Sequence, residues 1–211
     1  MRALLKKELK LVFCSPSGAF FALIFLSVSG AILFIFDGSY NIFNSGYASM
    51  AGFFYLAPIL LSVLIPALTM RQIAEEKSCG TLDILITRPL TYTAIYISKF
   101  IASYIFTTVT LLSTAIYVFA LYRLANPVGN IDITAIVISY ISLFLLVAVF
   151  IAIGLFTSAL TRNQVIALII AISINLFVFF GFDLLATLFI SGKSKIVLSS
   201  FGLVYHYQVM Q

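Results

Sequence analysis

The chain has 211 residues, of which 63% are hydrophobic and 9% are charged, and its mean hydropathy is +1.17. A soluble domain is typically about 25% charged, so this composition excludes an ordinary soluble protein and indicates an integral membrane protein. The net charge of +5 indicates membrane orientation and attraction to anionic lipid rather than nucleic-acid binding, because no basic stripe with interleaved aromatic residues lies outside the apolar segments.

The chain begins with a basic segment, residues 1–17, that predicts a helix lying in the membrane interface. Leu5, Leu9 and Val12 recur at helical spacing and form an apolar face for lipid. Cationic side chains for the headgroups come from Arg2, Lys6, Lys7 and Lys10. Pro16 then turns the chain into the bilayer. The alternative is that these charges only orient the first span.

Five apolar segments are long enough to cross a bilayer, which takes about 20 residues. Each should be α-helical, because a backbone exposed to lipid has to satisfy its own hydrogen bonds. The predicted spans are 18–36, 51–70, 98–122, 133–160 and 164–182. With the N-terminus inside, the twelve Lys and Arg residues divide nine to three in favour of the inner side. This bias predicts a cytoplasmic N-terminus.

Small polar residues and prolines interrupt two of these spans. Thr107, Thr110 and Thr114 share one face of the third span, where they either allow close helix packing or line a substrate path. Pro58 and Pro66 should bend or loosen the second span. Such a bend is either a hinge or a fixed part of the helix shape.

The sequence shows no pattern of a catalytic, metal or nucleotide site. His206 has no Cys or His neighbour at metal-ligand spacing. The Ser-Gly-Lys-Ser at 191–194 lacks the first glycine of a phosphate-binding loop, because Thr187 stands there. Cys14 and Cys79 fall on predicted cytoplasmic segments, where a structural disulfide is not expected. We therefore expect no enzyme activity, no bound cofactor and no metal in this chain.

The longest polar interval, residues 70–90, joins the second and third spans. Residues 74–77 favour a helix that continues out of the second span, and Gly80 fits its C-terminal stop. Thr81 and Asp83 suit the N-cap and first turn of a second, short helix. The sequence thus predicts a structured loop with exposed charges and a small apolar face. Such a loop suits docking of a soluble partner and a helix lying on lipid headgroups equally well.

Residues 71–100, RQIAEEKSCGTLDILITRPLTYTAIYISKF, resemble the loop of ABC-2-type transporter permeases. The shared pattern is an Arg, an acidic pair with Lys, Gly-Thr-Leu-acidic, Leu, Pro and a later Lys. SPSGAFF, residues 36–71 and the YHYQ near the end are similar to GldF-like permeases, the gliding-motility-associated members in Bacteroidetes. The resemblance implies an all-α permease fold with an interfacial elbow helix, six spans and a cytoplasmic coupling helix between spans two and three.

The resemblance also implies partners. Two permease subunits, identical or different, would pair in the bacterial inner membrane with two separate ATPase subunits, whose motion the coupling helices pass to the membrane. The elbow helix corresponds to residues 2–13, and the coupling loop to residues 71–97. The implied ATPase-facing residues are Arg71, Glu75, Glu76, Lys77, Gly80, Thr81, Leu82, Asp83, Leu85 and Pro89. The acidic pair should face basic groups of the ATPase, and the two leucines an apolar cleft in it.

The family pattern continues past YHYQ into a sixth span, whereas the sequence ends at Gln211. Residues 184–211 would then be the outer re-entrant or connecting segment, either of a longer protein or of one without its last span. The expected function is that of an exporter-type, ATP-driven permease, with an amphiphilic substrate favoured by the Phe-rich spans. The alternatives are a non-transporting scaffold of a surface or motility machine, or an ATP-independent channel or carrier. The scarcity of charge within the spans counts against the channel or carrier.

Overall fold

The computed structural model describes residues 2–37, 41–42, 49–80, 91–125, 128–181 and 184. Within these ranges every regular element is helical, which confirms the all-α prediction. Five helical segments in the same ranges are long and apolar enough to cross a membrane, so the expected number of spans in this chain is also confirmed.

The helices in chain order are α1 (Arg2–Cys14), α2 (Pro16–Phe34), α3 (Ala51–Ser78), α4 (Tyr92–Ser113), α5 (Ala115–Leu124), α6 (Ile133–Leu160) and α7 (Gln164–Leu176). A π-helical turn, Phe177–Gly181, extends α7. α4 and α5 together form the third span and are separated by a break at Thr114. α3 lies at the centre, packed against α6, α7 and α2, while α1 lies along α4.

A single residue, Ser15, separates α1 from α2. Its hydroxyl donates to the carbonyl of Val12 over 3.0 Å and accepts from the amide of Gly18 over 3.0 Å, so it caps α2. Pro16 takes the first position of α2, where a missing N–H has no cost to the helix and the fixed φ is already helical. The turn therefore holds α1 at a defined angle to the first span.

The buried face of α1 differs from the predicted lipid-facing one. Val12 and Glu8 are buried in the bundle, whereas Leu5 and Leu9 are half-buried. The three lysines of α1 are exposed; they are Lys6, Lys7 and Lys10. The side chain of Arg2 lies outside the described part. α1 thus rests against α4 through a face that contains a carboxylate, a pattern that apolar periodicity alone does not predict.

α3 runs as one helix through both of its prolines. Pro66 has no N–H to donate to the carbonyl of Ser62, four residues earlier. The side-chain amide of Asn175 in α7, which is fully buried, donates to that carbonyl over 3.3 Å. The neighbouring helix thereby satisfies the backbone group that proline leaves free, as a water-free environment requires. Because this partner is fixed, Pro66 is better explained as part of the permanent shape of the helix than as a hinge.

The threonine face of the third span is a packing face. Thr107, Thr110 and Thr114 are all buried. Each hydroxyl donates to a carbonyl three or four residues earlier in its own helix, at 2.9, 3.1 and 2.6 Å. Because these hydroxyls are satisfied locally and covered by neighbouring helices, they do not line a substrate path in this conformation.

α3 and α6 approach closely where two small residues meet. A Cβ at Gly154 of α6 would lie 2.2 Å from the Oγ1 atom of Thr69 in α3. Thr69 is fully buried, and its hydroxyl donates to the carbonyl of Ile65 over 3.0 Å. Small residues at such a crossing allow the two backbones to come together where no hydrophobic effect drives helix association.

Substitution of Gly154 by alanine should therefore force α3 and α6 apart. We expect a loss of about 1–3 kcal/mol in the free energy of unfolding, the usual cost of overpacking. Thermal unfolding of the purified protein in detergent measures the change. Because the clash is with Thr69 Oγ1, adding Thr69→Ala should restore part of the loss. Equal melting temperatures for Gly154→Ala and the unsubstituted protein would contradict the close contact.

Candidate functional site at the α1 end of the bundle

A buried lysine joins three helices at the end of the bundle where α1 lies. Lys99 of α4 is 2% exposed. Its Nζ atom lies 2.8 Å from Oε1 of Glu76 in α3 and 3.3 Å from Oε2 of Glu8 in α1. Glu8 is 3% exposed, and the side chain of Glu76 is 17% exposed. We refer to Glu8, Glu76 and Lys99 as the ion cluster.

The ion cluster is stable only as a set. Moving an ion out of water costs several kcal/mol, which is recovered only through close, hydrogen-bonded partners. The two carboxylates repel each other unless the ammonium lies between them. Lys7 adds a second, exposed cation, with its Nζ atom 3.8 Å from Oε1 of Glu8. The electrostatics therefore tie the positions of α1, α3 and α4 to one another.

The sequence pattern does not predict this arrangement. It groups Lys99 with the cations of the polar loop and gives Glu8 no role, yet both side chains are buried. One signal was available. Glu8 is a lone acid in a basic helix, four residues before the buried Val12, and residues four apart share a helical face.

α3 continues past the predicted span to Ser78. Gly80 follows with a φ of +69°, a left-handed conformation that favours glycine and ends the helix as predicted. Arg71, Glu75 and Cys79 are exposed on this extension. The remaining implied coupling residues, Thr81, Leu82, Asp83, Leu85 and Pro89, lie outside the described residues. The structure thus describes residues 71–80 and 91–97 of the implied coupling loop.

The acidic pair on this extension is divided between solvent and the bundle. Glu75 is exposed, whereas Glu76 reaches Lys99 inside the ion cluster. Lys77 also turns inward, since its Nζ atom donates to the carbonyl of Ala159. That carbonyl lies in the last turn of α6, where a cation is favoured by the helix dipole. Of these three neighbouring charges, Glu75 alone faces outward.

Neutral hydrogen bonds fix the same part of α3. The hydroxyl of Ser158 in α6 accepts from the amide of Ile73 over 3.2 Å and donates to the carbonyl of Met70 over 2.9 Å. The side-chain amide of Gln72 donates to the hydroxyl of Ser103 in α4 over 2.6 Å. The extension of α3 is therefore bonded to both α4 and α6 before it leaves the bundle.

A groove of about 320 Å³ opens beside the ion cluster, between α1, the start of α2 and α3. The charged residues that line it are Glu8, Arg71, Glu75, Glu76 and Lys99. Three carboxylates against two cations leave one formal negative charge in excess. In the described part of the chain, no group of three or more His, Cys, Asp or Glu residues is arranged to hold a metal ion.

A family model of the ABC-2 family transporter protein matches residues 6–204. The chain belongs to this family. It is accordingly a multi-pass ABC-2 permease, the membrane component of a transporter and not a catalytic subunit. No curated protein and no solved structure matches it significantly. The match to the family spans the ion cluster, the groove and the five membrane-length helices of the described part.

Replacement of Lys99 by methionine should destabilise the permease strongly. The substitution leaves one buried carboxylate, Glu8, and one partly buried carboxylate, Glu76, without their cation, and breaking a buried ion pair costs about 3–5 kcal/mol. Thermal unfolding in detergent measures the loss, and Lys10→Met, on the exposed side of α1, is the matched control. Adding Glu8→Gln and Glu76→Gln removes the stranded charges and should recover part of the stability. If Lys99→Met behaves like Lys10→Met, the cluster does not hold the helices together.

Proposed function

We propose that this permease is the membrane half of an ATP-driven exporter whose separate ATPase docks where α3 leaves the bundle. The observation that carries the proposal is the ion cluster. Through Glu76 it connects the extension of α3 to α1 and α4, so a force applied to the end of α3 acts on three helices at once. A loop that only joined two spans would need no such connection.

The bonds of the α3 extension support its use as a rigid lever. A partner that moves the segment after Gly80 would displace Lys77 and Glu76, which are bonded to α6 and α4 respectively. Hydrogen-bond and salt-bridge networks on rigid helices are one means by which motion at a docking surface is carried to distant elements. Glu75 and Arg71, exposed on the same extension, are the side chains offered to the ATPase. Glu76 acts inside the permease instead.

The proposal includes an orientation and a second permease subunit. The α1 end would face the cytoplasm of a bacterial inner membrane, since the exposed lysines of α1 lie there and cytoplasmic segments are enriched in Lys and Arg. Large apolar side chains are exposed along α6 and α7; they include Leu145, Phe156, Val165 and Ile169. These faces suit contact with lipid and with the second subunit, identical or related.

The resemblance to GldF-like permeases extends the proposal to gliding motility, with an amphiphilic cargo. A strain that carries this permease and a hydrolysis-deficient ATPase partner should then grow but fail to glide. Gliding that persists without ATP hydrolysis by the complex would instead support a scaffold role.

Crosslinking from Cys79 tests the docking proposal with the chemistry of the protein itself. Cys14 and Cys79 are both free and exposed. Because the sequence has two cysteines, Cys14→Ser leaves Cys79, at the end of the α3 extension, as the thiol for crosslinking. A thiol-to-amine crosslinker in native membranes, followed by mass spectrometry, should capture a soluble chain that bears a phosphate-binding loop. This capture is expected because Cys79 lies next to the proposed docking segment.

The control moves the thiol to the other end of the bundle. The control variant combines Cys14→Ser, Cys79→Ser and Val128→Cys. Its single thiol is at position 128, which precedes α6 and where the native valine is 65% exposed. This variant should capture no ATPase. Labelling of Cys79 from the cytoplasm without any ATPase adduct, or the same adduct from Val128→Cys, would refute docking at α3.

A further inference from the structure

The groove beside the ion cluster contains two unused acceptors. Oε1 of Glu8 and Oε1 of Gln72 are buried and accept no hydrogen bond from the described residues, and both side chains line the groove. The Nζ atom of Lys7 is 3.8 Å from the Glu8 oxygen, beyond hydrogen-bond distance. Buried polar atoms are rarely left without a partner. The site is therefore built for a donor, and the carboxylate of Glu8 suits a cationic one.

A second groove continues from the first along the apolar part of the bundle. It has a volume of about 260 Å³, lies between α2 and α3, and shares Ser17, Leu68 and Arg71 with the first groove. Its outer wall includes Phe20, which is 63% exposed, and Ile24. The two grooves thus form one path that is acidic at one end, basic at Arg71 and apolar beyond it.

We propose that the two grooves together bind one aminophospholipid of the phosphatidylethanolamine type. Its primary ammonium would donate to Glu8 and Gln72 in the acidic groove. The phosphate would lie beside Arg71, whose guanidinium suits phosphate oxygens, and beside the hydroxyl of Ser17. One acyl chain would follow the apolar groove between α2 and α3. The order of acidic, basic and apolar surfaces matches the order of ammonium, phosphate and acyl chain in that lipid.

The chemistry of the groove selects among lipid headgroups. A trimethylammonium group has no N–H and cannot donate to the two acceptors, while a glycerol headgroup has no positive charge. The ammonium of ethanolamine supplies both. Lipid binding in these grooves requires neither the ATPase nor a particular orientation of the chain in the membrane, so its failure and that of the proposed function are distinguishable.

Lipid binding to the purified full chain in detergent tests the proposal. Native mass spectrometry measures binding of phosphatidylethanolamine, phosphatidylcholine and phosphatidylglycerol with identical acyl chains. We expect phosphatidylethanolamine to bind about tenfold more tightly than either, since one hydrogen bond between charged groups is worth roughly that factor. Glu8→Gln should remove the preference over phosphatidylcholine, provided that its melting curve shows a folded protein.

A variant that leaves every charge in place separates the groove from the ion cluster. Ala67 is half-buried and lines the α2–α3 groove, so Ala67→Phe should fill it and weaken phosphatidylethanolamine binding about tenfold. Ala148→Phe, at a half-buried alanine of α6, is the matched control and should bind normally. Equal binding of the three lipids, or equal binding by Ala67→Phe and Ala148→Phe, would overturn the proposal. If the groove instead receives a lysine of a partner protein, the three lipids should bind equally. The crosslink from Cys79 to the ATPase would not be affected by that outcome.

Discussion

The burial of one lysine between two carboxylates governs how the helices meet at the α1 end of the permease. An ammonium held away from water needs close carboxylate partners, and Glu8 and Glu76 lie within hydrogen-bond distance of Lys99. That requirement holds an amphipathic helix, the end of the central helix and the start of the third span in one arrangement. In a chain with 9% charged residues, two buried charges and a third that is partly buried at a single point are a strong constraint on the fold.

Elsewhere neutral groups fix the positions of the helices, without the desolvation cost of buried charges. Asn175 donates to the α3 carbonyl that Pro66 leaves without a partner. Ser158 bonds to the α3 backbone one and two turns after Pro66. Thr69 and Gly154 allow α3 and α6 to approach closely. Each of these contacts involves α3, which continues as one helix to Ser78.

In the proposed function, the α3 extension connects the ATPase to the spans. The α3 extension presents Glu75 and Arg71 outward while Glu76 and Lys77 are bonded inward. The adjacent groove places a lipid-sized path against the same helices. Docking and lipid binding would then act on one structural element, since both surfaces are built on α3.

The sequence by itself determined the membrane class, the helical fold, the five spans and the family, because long apolar segments in lipid have to be helices and the loop pattern at 71–100 is distinctive. It also indicated the stop at Gly80, since helix-ending signals are local. It did not separate Glu75 from Glu76, reveal the burial of Glu8, or decide between packing and transport for the threonine face. Those outcomes depend on which helix lies opposite each side chain. Only the tertiary structure brings residues 8, 76 and 99 together, because that contact joins positions far apart in the chain.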